Sequence, residues 1–316
     1  MTVKEKLLGI LDKSEGKAVS GQDLADSLGV SRTAVWKAMK KLAEQGYEIE
    51  AVRNRGYRLI KAGDIMTSDS IRSFLAEELK SAKIIVLKTV DSTNTYAKKA
   101  AADGAESGTI IVAEHQTAGR GRRGNSFHSP DKTGLYMSVI LRHSQYGDNT
   151  DLLTICAGCS VCAAIEKLTD KKPLIKWVND VYLDGKKICG ILSEATADIE
   201  SGSLDSIVVG IGINLTNEEF PEEIRNKAGA LGVGISRSCA AAEVVNQLYL
   251  CLRRSREDIL KDYKEHSLVL NKDVHFVENG INKVGKAIDI DDKGQLIVIT
   301  DEGEKVLNSG EISVKL

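Results

Sequence analysis

"TAGRGRRGNSF", residues 117–127, carries Gly119, Gly121 and Gly124 in the G-x-G-x-x-G spacing of a dinucleotide-binding turn. That fingerprint works only where the glycine run opens a helix, so that amide N–H groups and the helix dipole face a pyrophosphate. The residues that follow, "NSFHSPDKTG" (125–134), contain Pro130 and turn-formers and predict no helix. The doubly wound dinucleotide reading therefore fails at its required context. The glycines instead give a loop whose backbone can approach a ligand closely. Arg120, Arg122 and Arg123 add fixed charge and bidentate donors for phosphate or carboxylate. Three crowded cations repel one another, which predicts a mobile loop that orders around a polyanion. A solvated basic loop or a second nucleic-acid patch fits the same residues.

The chain around the loop has 316 residues, enough for two or three domains. Its composition, 42% hydrophobic and 28% charged with a net charge of -2, is that of a globular protein and not of a polycation. No apolar run reaches the ~18 residues of a membrane span and no signal peptide is evident, so a cytoplasmic protein without membrane contact is expected. The six cysteines are expected to be reduced.

Residues 1–60 hold 11 Lys and Arg against 8 Asp and Glu, while the rest of the chain is net acidic. Val3, Leu7, Ile10 and Leu11 fit one apolar helix face. "VSGQDLADSLGVSRTAVWKAMKKLAEQGY" (19–47) predicts two more helices. Ser20 caps the first, Gly29 ends it, Ser31 caps the second, and Val35, Met39 and Leu42 face inward. The outward residues Ser31, Arg32, Thr33, Trp36 and Lys37 suit base edges and phosphates. "GYEIEAVRNRGYRL" (46–59) then predicts a hairpin with Arg53 and Arg55 at its tip. Three helices followed by a basic hairpin read as a winged helix-turn-helix. A helical trimer with a solvated basic face is the bland alternative.

Residues 60–70 read as a linker, and residues 71–270 alternate strands and helices, with one helix expected over "AAAEVVNQLYLCLRRSREDIL" (240–260). From 271 onward short alternating strands separated by Gly-containing turns predict a small β-barrel or sheet. The expected class is α+β, in three domains: a winged helix over 1–62, a mixed α/β domain over 63–270 and a β-barrel over 271–316. Cys156, Cys159 and Cys162 form C-x-x-C-x-x-C, a hint of iron–sulfur ligation. They sit in an apolar helical pattern with no fourth cysteine at the right spacing, which favours helix packing. The five histidines show no metal-ligand spacing.

Four stretches sharpen the reading: "VDSTNTYAKK" (90–99), "AEHQTAGRGRRG" (113–124), "KWVNDVYLDGKKICGILSE" (176–194) and "VVGIGINL" (208–215). In this order behind a winged helix they resemble the biotin–protein ligases, and most closely the bifunctional members that also repress biotin-synthesis genes. The resemblance spans nearly the whole chain and implies a class II synthetase-like ligase domain. It implies an enzyme that joins biotin and MgATP into biotinyl-5′-AMP and transfers biotin to a lysine of biotin carboxyl carrier protein. It also implies that the adenylate acts as corepressor, driving homodimerisation and operator DNA binding.

The resemblance assigns biotin contacts to Ser92, Thr93, Asn94, Gln116, Arg120, Gly121, Arg122, Lys187 and Gly190. ATP contacts fall to Arg120, Arg122, Lys176, Asn179 and Asn214. Lys187, Arg122 and Asp180 carry the catalytic expectation, Lys187 as electrophilic stabiliser and Asp180 as proton acceptor. Magnesium would come with ATP and not in a dedicated protein cage. Val178 stands where the family often has Pro, and Phe127 where it often has Trp. A non-catalytic ligand-sensing transcription factor and a lipoate ligase-like acyl transferase are the alternatives.

Overall fold

The computed structural model describes residues 3–14, 16–44, 47–53, 55–61, 66–142, 151–197, 204–278, 280–308 and 312–314. Asn54 of the wing and residues 62–65 of the expected linker lie outside these. The chain divides into two compact units, Met1–Ser73 and Phe74–Leu316.

The first unit holds α1 (Val3–Lys13), α2 (Gly21–Leu28), α3 (Arg32–Glu44), and the antiparallel pair β1 (Glu48–Val52) and β2 (Gly56–Lys61). Its caps follow the sequence chemistry. The Ser20 hydroxyl accepts from the amides of Gln22 and Asp23, and Gly29 closes α2 in the left-handed region at φ 64°. Ser31 Oγ accepts from Ala34 N at 3.2 Å. Leu7, Leu11, Leu24, Val35, Met39 and Leu42 bury together with Tyr47 and Leu59, so one core serves helices and hairpin alike. The hairpin is fastened to the segment before α2 by paired hydrogen bonds between Val19 and Tyr57, each 2.8 Å. Gly56, at φ 105°, makes that approach possible, because a Cβ there would stand 2.0 Å from Val19 O. A further helix, α4 (Ser68–Phe74), begins inside the stretch expected to be linker, with Thr67 Oγ1 accepting from Ser70 N.

The second unit is built on a seven-stranded sheet of order β3-β4-β5-β9-β8-β7-β6. Its strands are β3 (Ile84–Val90), β4 (Ile110–Gln116), β5 (Gly134–Arg142), β6 (Leu174–Lys176), β7 (Asp180–Leu183), β8 (Lys186–Ala197) and β9 (Leu204–Asn214). Among the described strands of this sheet β3 and β4 alone pair in parallel, joined by α5 (Thr93–Ala102). One face packs on α6 (Leu153–Leu168) and α7 (Arg237–Cys251) through Leu135, Met137, Val139, Val209, Ile211 and Ile213. The helix expected over 240–260 is in fact two, α7 and α8 (Arg256–Glu265). Ser255 breaks it by capping α8, accepting from Asp258 N at 3.1 Å.

The tail is a five-stranded antiparallel sheet of order β13-β12-β11-β10-β14. These are β10 (Asp273–Glu278), β11 (Ile281–Ile290), β12 (Leu296–Thr300), β13 (Gly303–Leu307) and β14 (Ile312–Val314). Among the described residues β13 and β14 do not pair, so the sheet is barrel-like in content and unclosed. It belongs to the same compact unit as the seven-stranded sheet, with Trp177 Nε1 donating to Gly294 O at 2.9 Å.

Candidate functional site

Strand alternation gives the seven-stranded sheet two different faces. Opposite the apolar face lie Ser138 and Tyr136 on β5, Gly210 and Gly212 on β9, and Gly190, Leu192 and Glu194 on β8. At one end of this second face α5 packs through Ala97 and Ala101 onto Ile111, Ile140 and Val208. Toward the other end the glycines leave room, and the basic loop turns over them. The loop is a short hairpin: Phe127 N donates to Gly119 O at 2.8 Å and Gly121 N to Asn125 O at 2.7 Å. Its tip is a single 3₁₀ turn, Arg122–Gly124, as the sequence's lack of a helix requires. Phe127 reaches the sheet: a Cβ on Gly212 would stand 2.5 Å from its ring, and one on Gly190 would stand 3.3 Å away.

The residues expected to meet biotin form one cluster. Gln116 Oε1 accepts from Thr93 N at 2.8 Å and from Thr93 Oγ1 at 3.1 Å. Gln116 Nε2 donates to Ser129 Oγ at 2.9 Å. Ser92 is buried at the start of α5, yet its hydroxyl makes no capping bond. Asn94 is buried and committed: Nδ2 donates to Leu192 O at 3.1 Å and Glu194 Oε2 at 2.9 Å, and Oδ1 accepts from Ser138 at 2.7 Å. Such an amide shapes a wall better than it grips a ligand. Arg120 lies 3.2 Å from Glu194.

A second cluster surrounds Gly190. Arg122 Nη1 donates to Asn179 Oδ1 at 3.1 Å. Asn179 in turn brackets Ile191, donating Nδ2–H to its carbonyl and accepting from its amide, both at 2.9 Å. Lys187 Nζ forms an ion pair with the buried Asp180 Oδ1 at 2.7 Å. Lys187 is half-buried while Lys186 beside it is exposed. The Trp177–Val178 peptide bond is cis.

Asn214 ends β9, donating Nδ2–H to Gly229 O at 2.9 Å while its buried Oδ1 has no hydrogen-bond partner. Leaving such an acceptor unmet costs about 1–3 kcal/mol, so the position suits a ligand N–H. Lys176 stands across β6 and β7 from Asp180, its Nζ 5.7 Å from the centre of the Tyr182 ring. Burial, then the nearby Asp180, push the Tyr182 hydroxyl up to about 12. Arg123 is exposed, with φ 54°.

Sequence reasoning did not single out Glu194, Ser129 or Ser138. Glu194 was findable, because it follows Gly190 at even spacing on a strand. Cys156, Cys159 and Cys162 are buried along α6 as free thiols. Hydrogen bonding to Cys251 and burial raise the first two, and burial raises the third. No group of three or more metal-ligating side chains forms among the described residues, and no described helix is long and apolar enough to cross a membrane.

In the first unit α3 shows Arg32, Thr33, Trp36 and Lys37 to solvent, with Ser31 at its cap. Trp36 is 53% exposed, and Lys40 Nζ lies 5.9 Å from its ring centre. A cavity of about 310 Å³ between Arg32, Thr33, Trp36, Gly21 and Tyr57 opens beside it. Arg53 and Arg55 are exposed at the hairpin turn.

Residues 86–214 match the Biotin/lipoate A/B protein ligase family, residues 3–58 an HTH domain and residues 269–315 the Biotin protein ligase C terminal domain. The bifunctional ligase/repressor BirA of Bacillus subtilis (strain 168) is 34% identical over 323 residues, covering 99% of each chain. That of Escherichia coli (strain K12) is 30% identical, covering 99% of this chain and 98% of the relative. The structure of biotin protein ligase from Aquifex aeolicus in complex with biotin and ATP superposes with a TM-score of 0.64 at 33% identity, covering 74% of this chain and 98% of the other. The chain therefore belongs to the family of BirA bifunctional ligase/repressor proteins.

Proposed function

We propose that this protein activates biotin with ATP, transfers it to biotin carboxyl carrier protein, and represses biotin-synthesis genes through its winged helix. The observation that carries the reading is the convergence, around the side-chain-free Gly190, of Lys187, Asp180, Arg122 and Asn179 with the Phe127 ring.

In the first step a biotin carboxylate oxygen attacks the α-phosphorus of ATP, a P–O bond forms, and the bond to the β-phosphate breaks to release pyrophosphate. Two anions must meet for this. Arg120, Arg122 and Lys187 lower their repulsion and stabilise charge on the transferring group. Thr93 and Gln116, with Ser92, offer the donors and acceptors a ureido ring requires, while Gly121 and Gly190 let the backbone come close. In this reading Asn214 meets the adenine with its open amide oxygen, and Lys176 contacts phosphate. Asp180 and Asn179 would offer hard oxygens to the magnesium ion that accompanies ATP, and that ion would shield phosphate charge. In the second step the carrier lysine attacks the mixed anhydride, AMP leaves, and Asp180 takes the amine proton.

The adenylate that remains bound acts as corepressor and favours a homodimer. Ser31, Arg32, Thr33, Trp36 and Lys37 then meet the operator, with Arg53 and Arg55 on flanking phosphates. Transfer is the test: carrier protein should gain biotin only when biotin and MgATP are both present. Asp180→Asn should slow that transfer. Unimpaired labelling by this variant would remove Asp180 from the role of base.

A further inference from the structure

Trp36 puts a large apolar ring where a helix-turn-helix meets DNA. It stays half-exposed on α3 although the core of its unit is closed beneath it by Val35 and Met39. Side chains on a helix lean toward its N-terminus, so the indole covers the first turn, where Arg32 and Thr33 stand four and three residues before it. That turn, behind the Ser31 cap, is the part such a fold sends into the major groove. The cavity of about 310 Å³ that Trp36 borders is closed by Gly21, Arg32, Thr33, Val35 and Tyr57. The Tyr57 ring lies against α2, 3.4 Å from where a Cβ on Gly21 would stand. The lining thus holds two aromatic rings, one cation and no carboxylate, which suits a polyanion approaching with an apolar group. An indole has a single N–H donor and no acceptor, so it offers a base edge mainly apolar surface. Among the groups that distinguish base pairs in the major groove, the C5-methyl of thymine alone is apolar.

We propose that Trp36 is a specificity-determining residue that reads a thymine of the operator, taking its C5-methyl against the indole at the mouth of this cavity while Arg32 holds a neighbouring phosphate. This rests on the reading that α3 meets operator DNA. Lys40, whose Nζ lies 5.9 Å from the ring centre, adds positive charge beside the indole without lining the cavity. Arg32 and Lys37 supply affinity for any sequence, and Trp36 supplies preference among sequences.

The test begins with the full chain, biotin and MgATP, and a pool of DNA duplexes with a randomised core, from which the bound duplexes are sequenced. The selected duplex is then remade with each thymine replaced singly by deoxyuridine, which exchanges the C5-methyl for hydrogen and leaves base pairing intact. Affinities are read by fluorescence anisotropy at one fixed salt concentration. At one or more thymines the replacement should weaken binding by the parent about fourfold, the factor for burying one methyl-sized group. Trp36→Ala should bind the thymine and deoxyuridine duplexes alike at those positions. Trp36→Phe, with a smaller apolar ring, should keep part of the discrimination. Arg32→Ala should weaken binding to both duplexes by the same factor and keep their ratio. A parent indifferent to every methyl, or a Trp36→Ala variant that still separates thymine from deoxyuridine as the parent does, would overturn the proposal while leaving the winged helix a DNA reader. A parent that selects no sequence from the pool would overturn that reading and the proposal with it.

Discussion

Gly210 faces Asn94 so closely that a single methyl group should unseat the helix start that lines the biotin side. A Cβ there would stand 2.1 Å from Asn94 Oδ1, 2.7 Å from Cγ and 2.9 Å from Nδ2. Asn94 has nowhere to go: it is 3% exposed and bonded to Ser138, Leu192 O and Glu194. Displacing it loses two neutral hydrogen bonds of about 1 kcal/mol each and one to a carboxylate of about 2 kcal/mol. A small backbone shift recovers part of this, which puts Gly210→Ala at about 3 kcal/mol, at the upper end of overpacking costs. For a unit of this size that lowers the thermal midpoint by about 6–12 °C. Gly190→Ala is the internal control, because the nearest atoms to its Cβ are side-chain atoms of Lys187 and Phe127 at 3.3 Å, which a shift of a few tenths of an ångström relieves. It should cost less than about 1 kcal/mol. The decisive assay is thermal unfolding of Gly210→Ala with and without Asn94→Ala. Removing the side chain removes the clash, so the glycine substitution should then cost little. The same midpoint loss in both backgrounds, or none in the parent, would refute the reasoning.

Arg122→Gly deletes a donor to Asn179 and a proposed ligand clamp, and should release biotinyl-adenylate about tenfold faster or more; retention equal to the parent would remove Arg122 from the clamp. His266 is raised to about 9, chiefly by its hydrogen bond with Asp262, so its stabilisation is full below about pH 6.5 and fades as pH rises through about 9. Its size is roughly 1–2 kcal/mol after screening, and His266→Gln should flatten the stability curve over that window in thermal unfolding. On operator DNA, Arg32→Ala should lower the slope of log affinity against log salt by about 1, measured by fluorescence anisotropy; an unchanged slope would place Arg32 off the phosphates.

What the sequence made legible was local. Caps at Ser20 and Ser31, the left-handed turn at Gly29 and the inward row Val35, Met39 and Leu42 each depend on neighbours within a few residues. So does the absence of a long helix after Gly119, which redirected the glycine run from dinucleotide turn to basic loop. The break at Ser255 was also local, but it lies inside the charged run 253–258, which a continuous solvated helix face carries equally well. Non-local facts were not legible. Gly210 and Asn94 meet because β9 lies beside β5 and β8, and strand order leaves no mark in periodicity. Glu194 gathers Lys98 and Arg120 from positions 96 and 74 residues away. The full engagement of the Asn94 amide likewise depends on partners from two other strands.

The most direct measurement incubates the purified protein with biotin, MgATP and inorganic pyrophosphatase, then identifies the bound small molecule by mass spectrometry. Bound biotinyl-5′-AMP, with ATP consumed and phosphate released, is the predicted result. Bound biotin with ATP intact, or adenylation of lipoate or octanoate in its place, would contradict the account.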